Sequence, residues 1–387
     1  MKIVSAKVFL VDSGYVKPII VELTTDEGIT GIGEAAIAYG LGATAAAGMI
    51  KDFCDRLVIG ADPFRIETLY TQMYDNSFWA KGGGAIVFAG ISAIETALWD
   101  IKGKATNLPV YEFFGGKVFD EVPVYANGWN YHCFDADSWA QAAERPIADG
   151  FKALKCYPLA TQDANGRLQH VQRRFHDRDF TELAYQRVKK LVEVAGSETE
   201  IYIDLSGGMT TAETIRLCKR YEDLGITWIE EPCDAFDVGA MEKISKATNA
   251  SLAAGERLYT RQGFRRLIEK QIVDIVQPDI GNTGGLSETK KIAAMAEAYN
   301  MLVAPHNCAS SLCTAATMQV GVTMPNFMTM EIYPYFSDSP KYVQILQNSP
   351  EDRIANGKLA VTSDAGLGVT LDQKAIAPYL WAECKAQ

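Results

Sequence analysis

Apolar and polar positions follow two different rhythms in the first 120 residues. Residues 3–10 and 19–24 are rich in β-branched side chains, and the turn-forming sequence Asp26-Glu27-Gly28 ends the second run, so both are predicted to be strands. A group of strands followed by helices predicts a separate α+β domain over residues 1–120. Apolar residues recur at helical spacing in three later stretches, at residues 43–57, 66–73 and 85–104.

Beyond residue 121 the rhythm changes, because short apolar runs now alternate with amphipathic helical stretches. Eight such runs, most of them followed by a helix, are what a barrel of parallel strands needs. The pattern therefore predicts an α/β fold with a catalytic barrel over residues 121–356. The runs are residues 122–125, 153–156, 200–204, 228–230, 252–255, 275–277, 302–304 and 327–331.

Composition and net charge limit the kinds of binding partner that we expect for this chain. A net charge of -11 and a pI near 5.0 argue against nucleic acid and anionic lipid. No apolar run approaches the roughly 20 residues that cross a bilayer, and the first residues lack the features of a secretory signal. The eight cysteines form none of the close pairs of zinc or redox motifs. We therefore expect a cytoplasmic protein without a nucleic-acid or membrane partner.

Ionisable residues recur once per strand–helix unit, always where a predicted strand ends. The carboxyl ends of barrel strands share one active site, so these side chains are predicted to point into the same pocket. Three carboxylates in a desolvated pocket need a counter-charge, and a hard cation with oxygen ligands such as Mg²⁺ supplies it. The residues are Asp204, Glu230, Glu256, Asp279, His306 and Glu331, at separations of 26, 26, 23, 27 and 25 residues.

These positions lie in longer motifs, and from about Val8 to Leu371 the chain resembles the enolase superfamily, mandelate racemase subgroup. The resemblance implies a (β/α)7β TIM-like barrel with an N-terminal α+β capping domain. It also implies that the C-terminal segment, residues 357–387, returns to the cap. The motifs are Ile203-Asp204, Trp228-Ile229-Glu230-Glu231-Pro232, Gly255-Glu256-Arg257-Leu258, Gln277-Pro278-Asp279, Pro305-His306-Asn307 and the helix of residues 94–104.

The resemblance also assigns roles to single residues. By it, Asp204, Glu230 and Glu256 hold Mg²⁺. Asp279 and His306 form a catalytic dyad in which the carboxylate orients the imidazole and raises its basicity.

Two further catalytic residues are implied by the same comparison. Glu331 stands where the family places a carboxyl group that hydrogen-bonds the substrate carboxylate or its enediolate. Lys155 is the first lysine of the family's second-strand motif and would help the metal to stabilise the enediolate.

The chain departs from the family pattern at two places. Tyr157 stands where the family has a second lysine, and its reference pKa of about 10, against about 6.5 for histidine, makes it a poor base at neutral pH. Tyr157 acts as a base if Lys155 and the metal lower its pKa; otherwise it donates a hydrogen bond or only packs. Ser206 replaces the Asn or His that relatives commonly carry, which leaves His306 as the main base.

A single strong base favours dehydration, since racemisation needs a base on each face of the substrate carbon. We therefore predict a dehydratase of a sugar acid, an aldonate or an aldarate, that yields a 2-keto-3-deoxy acid. The alternatives are a racemase or epimerase, or a lactone cycloisomerase, on the same scaffold. A binding protein that keeps the metal without turnover is the alternative from another class. The partner is a small carboxylate, and the cap implies a homo-oligomer.

Loops around the predicted site supply candidates for substrate binding. They are Arg257, Tyr15 on the loop of residues 11–17, and Trp79 and Lys81 on the glycine-rich loop of residues 76–84. A polar insertion between Pro158 and Phe180 overhangs the site mouth. It either grips the distal carboxylate or hydroxyls of the substrate or forms a solvated or interface loop. Its cations and histidines are Arg167, His170, Arg173, Arg174 and His176.

Overall fold

The computed structural model describes residues 1–79, 81, 84–162, 168–170 and 176–385. Arg167, Arg173 and Arg174 of the polar insertion lie outside the described residues. The N-terminal part consists of an antiparallel sheet covered by helices. Its elements are β1 (Ile3–Leu10), β2 (Ile19–Thr25), β3 (Thr30–Ala35), α1 (Ala43–Phe53), α2 (Ile66–Asn76) and α3 (Gly84–Thr106).

Strand β3 was not predicted from the sequence, because glycines interrupt its apolar residues. The same glycines explain why the strand forms under helix α3. A Cβ atom on Gly31 would lie 2.1 Å from the carbonyl oxygen of Ala97, and one on Gly33 would lie 2.0 Å from that of Ala93. Only glycine permits this approach, so the helix backbone lies directly on the sheet.

Helix α3 joins the cap to the rest of the protein through two buried carboxylates. Asp100 accepts hydrogen bonds from the backbone N–H groups of Ile32 (3.0 Å) and Leu367 (2.9 Å), and Glu95 accepts one from that of Leu286 (2.8 Å). By length and composition α3 could cross a membrane, but 83% of its most apolar window is buried inside the protein. It is therefore the central core helix of the fold.

All eight predicted barrel strands form, and they run parallel. The strands are β4 (Glu121–Ala126), β5 (Ala153–Cys156), β8 (Glu200–Asp204), β9 (Trp228–Glu230), β10 (Leu252–Ala254), β11 (Ile275–Val276), β12 (Leu302–Val303) and β13 (Met330–Ile332). Their order is β12-β11-β10-β9-β8-β5-β4, and β13 pairs with β4 on the other side. A bridge between Val303 and Phe327 closes the barrel.

Helices follow the first seven of these strands, as a (β/α)7β barrel requires, and the helix after β11 is preceded by the short helix α9. A two-stranded hairpin, β6 (Thr161–Gln162) with β7 (Leu168–Gln169), precedes the helix after β5. The helices are α4 (Ala136–Ala148), α5 (Arg178–Ala195), α6 (Thr211–Glu222), α7 (Val238–Ser245), α8 (Thr260–Lys270), α9 (Ile280–Thr283), α10 (Leu286–Glu297) and α11 (Ser311–Gly321).

Aromatic rings fill the barrel on the amino side of the site. The rings of Tyr202 and Trp228 stack with centroids 3.7 Å apart, and Tyr125 meets both edge-on. All three side chains are at most 2% exposed. The barrel is therefore solid below its carboxyl end, and a substrate can enter only where the strands end.

The chain returns to the cap after the barrel. The hairpin of β14 (Ile354–Ala355) and β15 (Lys358–Ala360) pairs with β4, and α12 (Gln373–Ile376) follows. The last strand, β16 (Leu380–Lys385), then pairs antiparallel with β1. Strand β16 thus completes the cap sheet, whose order is β16-β1-β2-β3.

Candidate active site

The structure brings the three predicted metal ligands to one end of the barrel. Asp204 and Glu230 end the adjacent strands β8 and β9 and are register partners, and Glu256 lies two residues beyond β10. The carboxylate of Asp204 accepts hydrogen bonds from the backbone N–H (2.6 Å) and hydroxyl (2.8 Å) of Ser206. The chain folds back here because Ser206 adopts a left-handed φ of 46°.

Lys155, at the end of β5, is the fixed cation of the site. Its ammonium lies 2.8 and 2.9 Å from the two carboxylate oxygens of Glu230 and 2.9 Å from Glu331 Oε1. The side chain is only 1% exposed. Burial by itself would lower the pKa of Lys155, but the charges of Glu230 and Glu331 outweigh it and hold that pKa well above its ordinary value.

Glu331 supports Lys155 from strand β13. Its carboxylate also accepts hydrogen bonds from the Asn127 side chain (2.7 Å) and the Asn307 backbone (3.0 Å). Burial opposes ionisation, but Lys155 and His306 lower the pKa of Glu331 to about 2. This fully buried anion therefore positions other groups, and its direct contact with substrate stays a prediction.

The dyad that the family resemblance implies lies at the ends of β11 and β12. His306 Nδ1 is 2.7 Å from Asp279 Oδ2, and His306 Nε2 is 3.2 Å from Glu256 Oε2. The other oxygen of Asp279 accepts the backbone N–H of Gly281 at 2.9 Å, which fixes the carboxylate at the start of α9. Burial would lower the pKa of His306, but the charges of Glu256, Glu331 and Asp279 raise it to about 10.

The donor set at this end of the barrel fits a hard divalent cation. The acids outnumber the permanently charged cations, Lys155 and Arg257. Burial, followed by the charge of Glu256, raises the pKa of Asp204, so negative charge there is incompletely balanced. The crowded acids are Asp204, Glu230, Glu231, Glu256, Asp279 and Glu331.

Within the described ranges, no three acidic, histidine or cysteine side chains already converge as a metal-binding group. The reason is visible in the ion pairs. Glu230 turns both oxygens to Lys155, and Glu256 turns to Arg257 (3.0 Å) and His306. Asp204, Glu230 and Glu256 would hold Mg²⁺ only after their carboxylates turn toward one point.

A cavity of about 330 Å³ opens above these groups. Six of the predicted site residues line it: Lys155, Tyr157, Asp204, Glu256, Arg257 and His306. Arg257 also forms ion pairs with Glu231 and Glu256. Glu230, Asp279 and Glu331 do not line the cavity but contact Lys155 or His306, which do.

Aromatic rings from three parts of the chain line the outer half of the cavity. The ring of His170, from the insertion, lies on Tyr157 with centroids 4.5 Å apart, and Tyr39 of the cap meets it edge-on at 5.8 Å. Burial lowers the pKa of His170, against the charges of Asp204 and Glu256. The imidazole is therefore neutral near pH 7.

The remaining substrate-binding candidates, Tyr15, Trp79 and Lys81, do not line this cavity. Trp79 is 96% exposed and contacts Phe78, and Lys81 pairs with Asp75. Tyr15 packs against the rings of Tyr131 and Phe336. The cap instead lines the cavity with Ala36, Ile37, Tyr39 and Leu41. A role for Tyr15, Trp79 and Lys81 in binding stays a prediction.

Several lining residues were not predicted. Asn127 follows β4 and Tyr333 follows β13, so the rule that active-site residues follow barrel strands would have found both. Tyr39 and Leu41 lie on a loop of the cap, where no spacing in the sequence marks them. His170 belongs to the polar insertion that was predicted to overhang the site mouth, and it lines the cavity.

Comparison with known proteins agrees with this architecture. Residues 138–375 match the family described as Enolase C-terminal domain-like, and residues 13–115 match the mandelate racemase / muconate lactonizing enzyme, N-terminal domain. The chain belongs to the enolase superfamily. The predicted family and fold class are thus confirmed. A solved structure from Mesorhizobium loti is 55% identical, with a TM-score of 0.97 over 100% of both chains.

The curated relatives of the chain include two with the following named activities. D-xylonate dehydratase of Haloferax volcanii is 29% identical over 98% of this chain and 89% of its own length. D-galactonate dehydratase of Variovorax paradoxus is 32% identical over 92% of this chain and 89% of its own. Both names denote hydro-lyases, which is the enzyme class predicted from the sequence.

Proposed function

We propose that this protein is a Mg²⁺-dependent dehydratase of a sugar acid. The reaction removes the proton α to the carboxylate, eliminates the β-hydroxyl and gives a 2-keto-3-deoxy acid. The observation that carries the proposal is that His306, held by Asp279, lines one cavity with Lys155 and Tyr157, and Tyr157 stands where the family has a second strong base. One base in reach of the α carbon suits elimination better than racemisation.

The substrate carboxylate would bind at the bottom of the cavity. Lys155 reaches the cavity there and is held in its charged form between Glu230 and Glu331. A Mg²⁺ ion held by Asp204, Glu230 and Glu256 would supply further positive charge beside the carboxylate, which makes the α proton more acidic. The Lys155 ammonium would then donate a hydrogen bond to the substrate carboxylate oxygens, onto which negative charge moves when the α proton leaves.

His306 would take the α proton at Nε2, because Asp279 holds Nδ1 as the protonated nitrogen. The charge of Glu256 contributes most to the raised pKa of His306. If Glu256 held a cation, its charge would stabilise the protonated imidazole less, and His306 would be closer to its neutral, proton-accepting form.

Elimination completes the exchange of protons and electrons. The electron pair of the broken C–H bond forms the C=C bond, and the β C–O bond breaks. The proton now on His306 is available to the departing hydroxyl, which leaves as water. The enol that remains becomes the 2-keto acid when its β carbon takes a proton.

The substrate class is an aldonate rather than an aldarate. The two named relatives act on D-xylonate and D-galactonate, which are acids with a single carboxylate. The outer lining is also apolar and aromatic, with Ile37, Leu41 and Leu168 beside the rings. Assembly as a homo-oligomer and a cytoplasmic location stay predictions.

The test is a screen of the purified protein with Mg²⁺ against mono- and diacid sugars, with semicarbazide to detect 2-keto-3-deoxy acids. We expect keto acid from at least one aldonate, and none when EDTA removes the metal. Deuterium incorporated from D₂O at C2 without keto acid would support an epimerase instead. An inactive plate with tight sugar-acid binding would support a binding protein.

A further inference from the structure

Three described residues of the polar insertion, Ala160, Leu168 and His170, line the cavity. Its hairpin pairs Thr161 with Gln169 and Gln162 with Leu168, and it follows strand β5, which carries Lys155 and ends one residue before Tyr157. Side chains two residues apart on a strand share a face. Leu168 and His170 accordingly both line the cavity, and Gln169 between them does not.

The ring of His170 lies between two tyrosines from separate parts of the chain. Tyr157 belongs to the barrel and Tyr39 to the cap, and both ring distances, 4.5 and 5.8 Å, are those of favourable aromatic pairs. We call this set, Tyr39, His170 and Tyr157, the ring column. It joins cap, insertion and barrel at the outer half of the cavity.

The edge of the imidazole is available to a ligand. The described residues provide no hydrogen-bond partner for either ring nitrogen of His170, although the side chain lines the cavity. A neutral imidazole has one donor and one acceptor, and a sugar hydroxyl has the complementary pair. Aromatic faces in the same column offer apolar surface to the C–H groups of a sugar chain.

The position of the reacting groups sets the direction of the substrate. A carboxylate at Lys155, with its α carbon beside His306, leaves the rest of the sugar chain to run outward. Tyr39 and Leu41 of the cap and Leu168 and His170 of the insertion line that outer part. The carbons beyond C3 therefore reach the ring column.

We propose that His170 is a specificity-determining residue that binds the distal hydroxyls of the aldonate. This inference rests on the proposed function for the direction of the substrate. The role of the hairpin is then to place an imidazole that hydrogen-bonds hydroxyls beside the cap loop of residues 36–42, which has no charged side chain. The ring column then favours long sugar acids over short ones.

The experiment compares the binding of a long and a short acid. Glycerate has the carboxylate, α proton and β-hydroxyl but no further carbons, so it occupies only the inner half of the cavity. Affinities for glycerate and for a panel of aldonates, D-galactonate and D-xylonate included, are measured by calorimetry with Mg²⁺. A His306→Asn background prevents turnover during the titration.

In that background His170→Phe keeps the ring but removes its donor and acceptor. We expect the affinity for the best aldonate to fall about tenfold, the worth of one to two hydrogen bonds, and that for glycerate to change less than about twofold. The control Gln169→Leu alters the opposite face of the hairpin and should change neither. His170→Gln, which keeps polar atoms without the ring, serves if the Phe variant is unstable.

Each other result overturns the inference. Equal losses for both acids would show that His170 only supports the whole site, and no loss would show that it touches no ligand. The inference also fails if, in the His306→Asn protein that keeps His170, no aldonate binds more tightly than glycerate. Failure of the proposed dehydration is seen separately, as the absence of keto acid in the wild-type screen.

Discussion

The two halves of the cavity are built in different ways. The inner half consists of Lys155, Glu256 and His306 with their neighbours, all at the ends of barrel strands and held by several ionic partners. The outer half consists of Tyr39, Leu41 and His170 on loops, where Tyr39 is 49% and Leu41 98% exposed. Groups that must hold charge in place are fixed by the barrel, and groups that meet the variable part of a substrate lie on loops.

The largest effect on stability is expected from an inner-half cation. Lys155→Met leaves Glu230 and Glu331 buried without their positive partner, so we expect the free energy of unfolding to fall by about 3–5 kcal/mol. Thermal and denaturant unfolding measure this change. An outer-half substitution, Leu41→Ser, should change stability by less than about 0.5 kcal/mol.

The control for Lys155→Met is Lys152→Met, three residues earlier at an exposed position. Lys152→Met removes the same charge, but no buried carboxylate loses its positive partner. Equal losses in both lysine variants would contradict the distinction between a fixed inner half and a tolerant surface.

A smaller effect is expected for the metal. Glu230→Gln keeps the size of the side chain but removes a charged oxygen ligand, and we expect Mg²⁺ affinity to fall at least about tenfold, or about 1.4 kcal/mol, by calorimetry. Glu200→Gln, at the other end of the neighbouring strand β8, is the matched control and should bind Mg²⁺ like the wild type. Unchanged affinity in Glu230→Gln would remove it from the ligand set.

Much of the fold follows from the sequence because its periodicities are local. The alternation of apolar runs and helical stretches predicts all eight barrel strands, and the long helix α3 is found within two residues at each end. Strand β3 escapes the pattern because Gly31 and Gly33 are chosen for contact with α3, a tertiary requirement. Pairing of β16 with β1 likewise depends on contacts between the two ends of the chain.

The site, like the fold, has parts that follow from local sequence patterns and parts that depend on tertiary contacts. Position after a strand predicts the convergence of Asp204, His306 and their neighbours, since the barrel brings all strand ends together. It predicts that the insertion after β5 overhangs the site, but not which of its residues line the cavity or which cap loop does. His170 enters through a hairpin, while Trp79, on a loop chosen by resemblance, points into solvent. Loop paths depend on packing that no spacing encodes.

Exchange of the C2 proton with solvent tests the central claim most directly. Wild type and His306→Asn are incubated in D₂O with Mg²⁺ and the aldonate that the screen identifies, and NMR follows the C2 proton and the keto acid. The account predicts that wild type forms keto acid, and that His306→Asn loses both exchange and product by at least about a thousandfold. Exchange that persists in His306→Asn would contradict it and place the base elsewhere in the cavity.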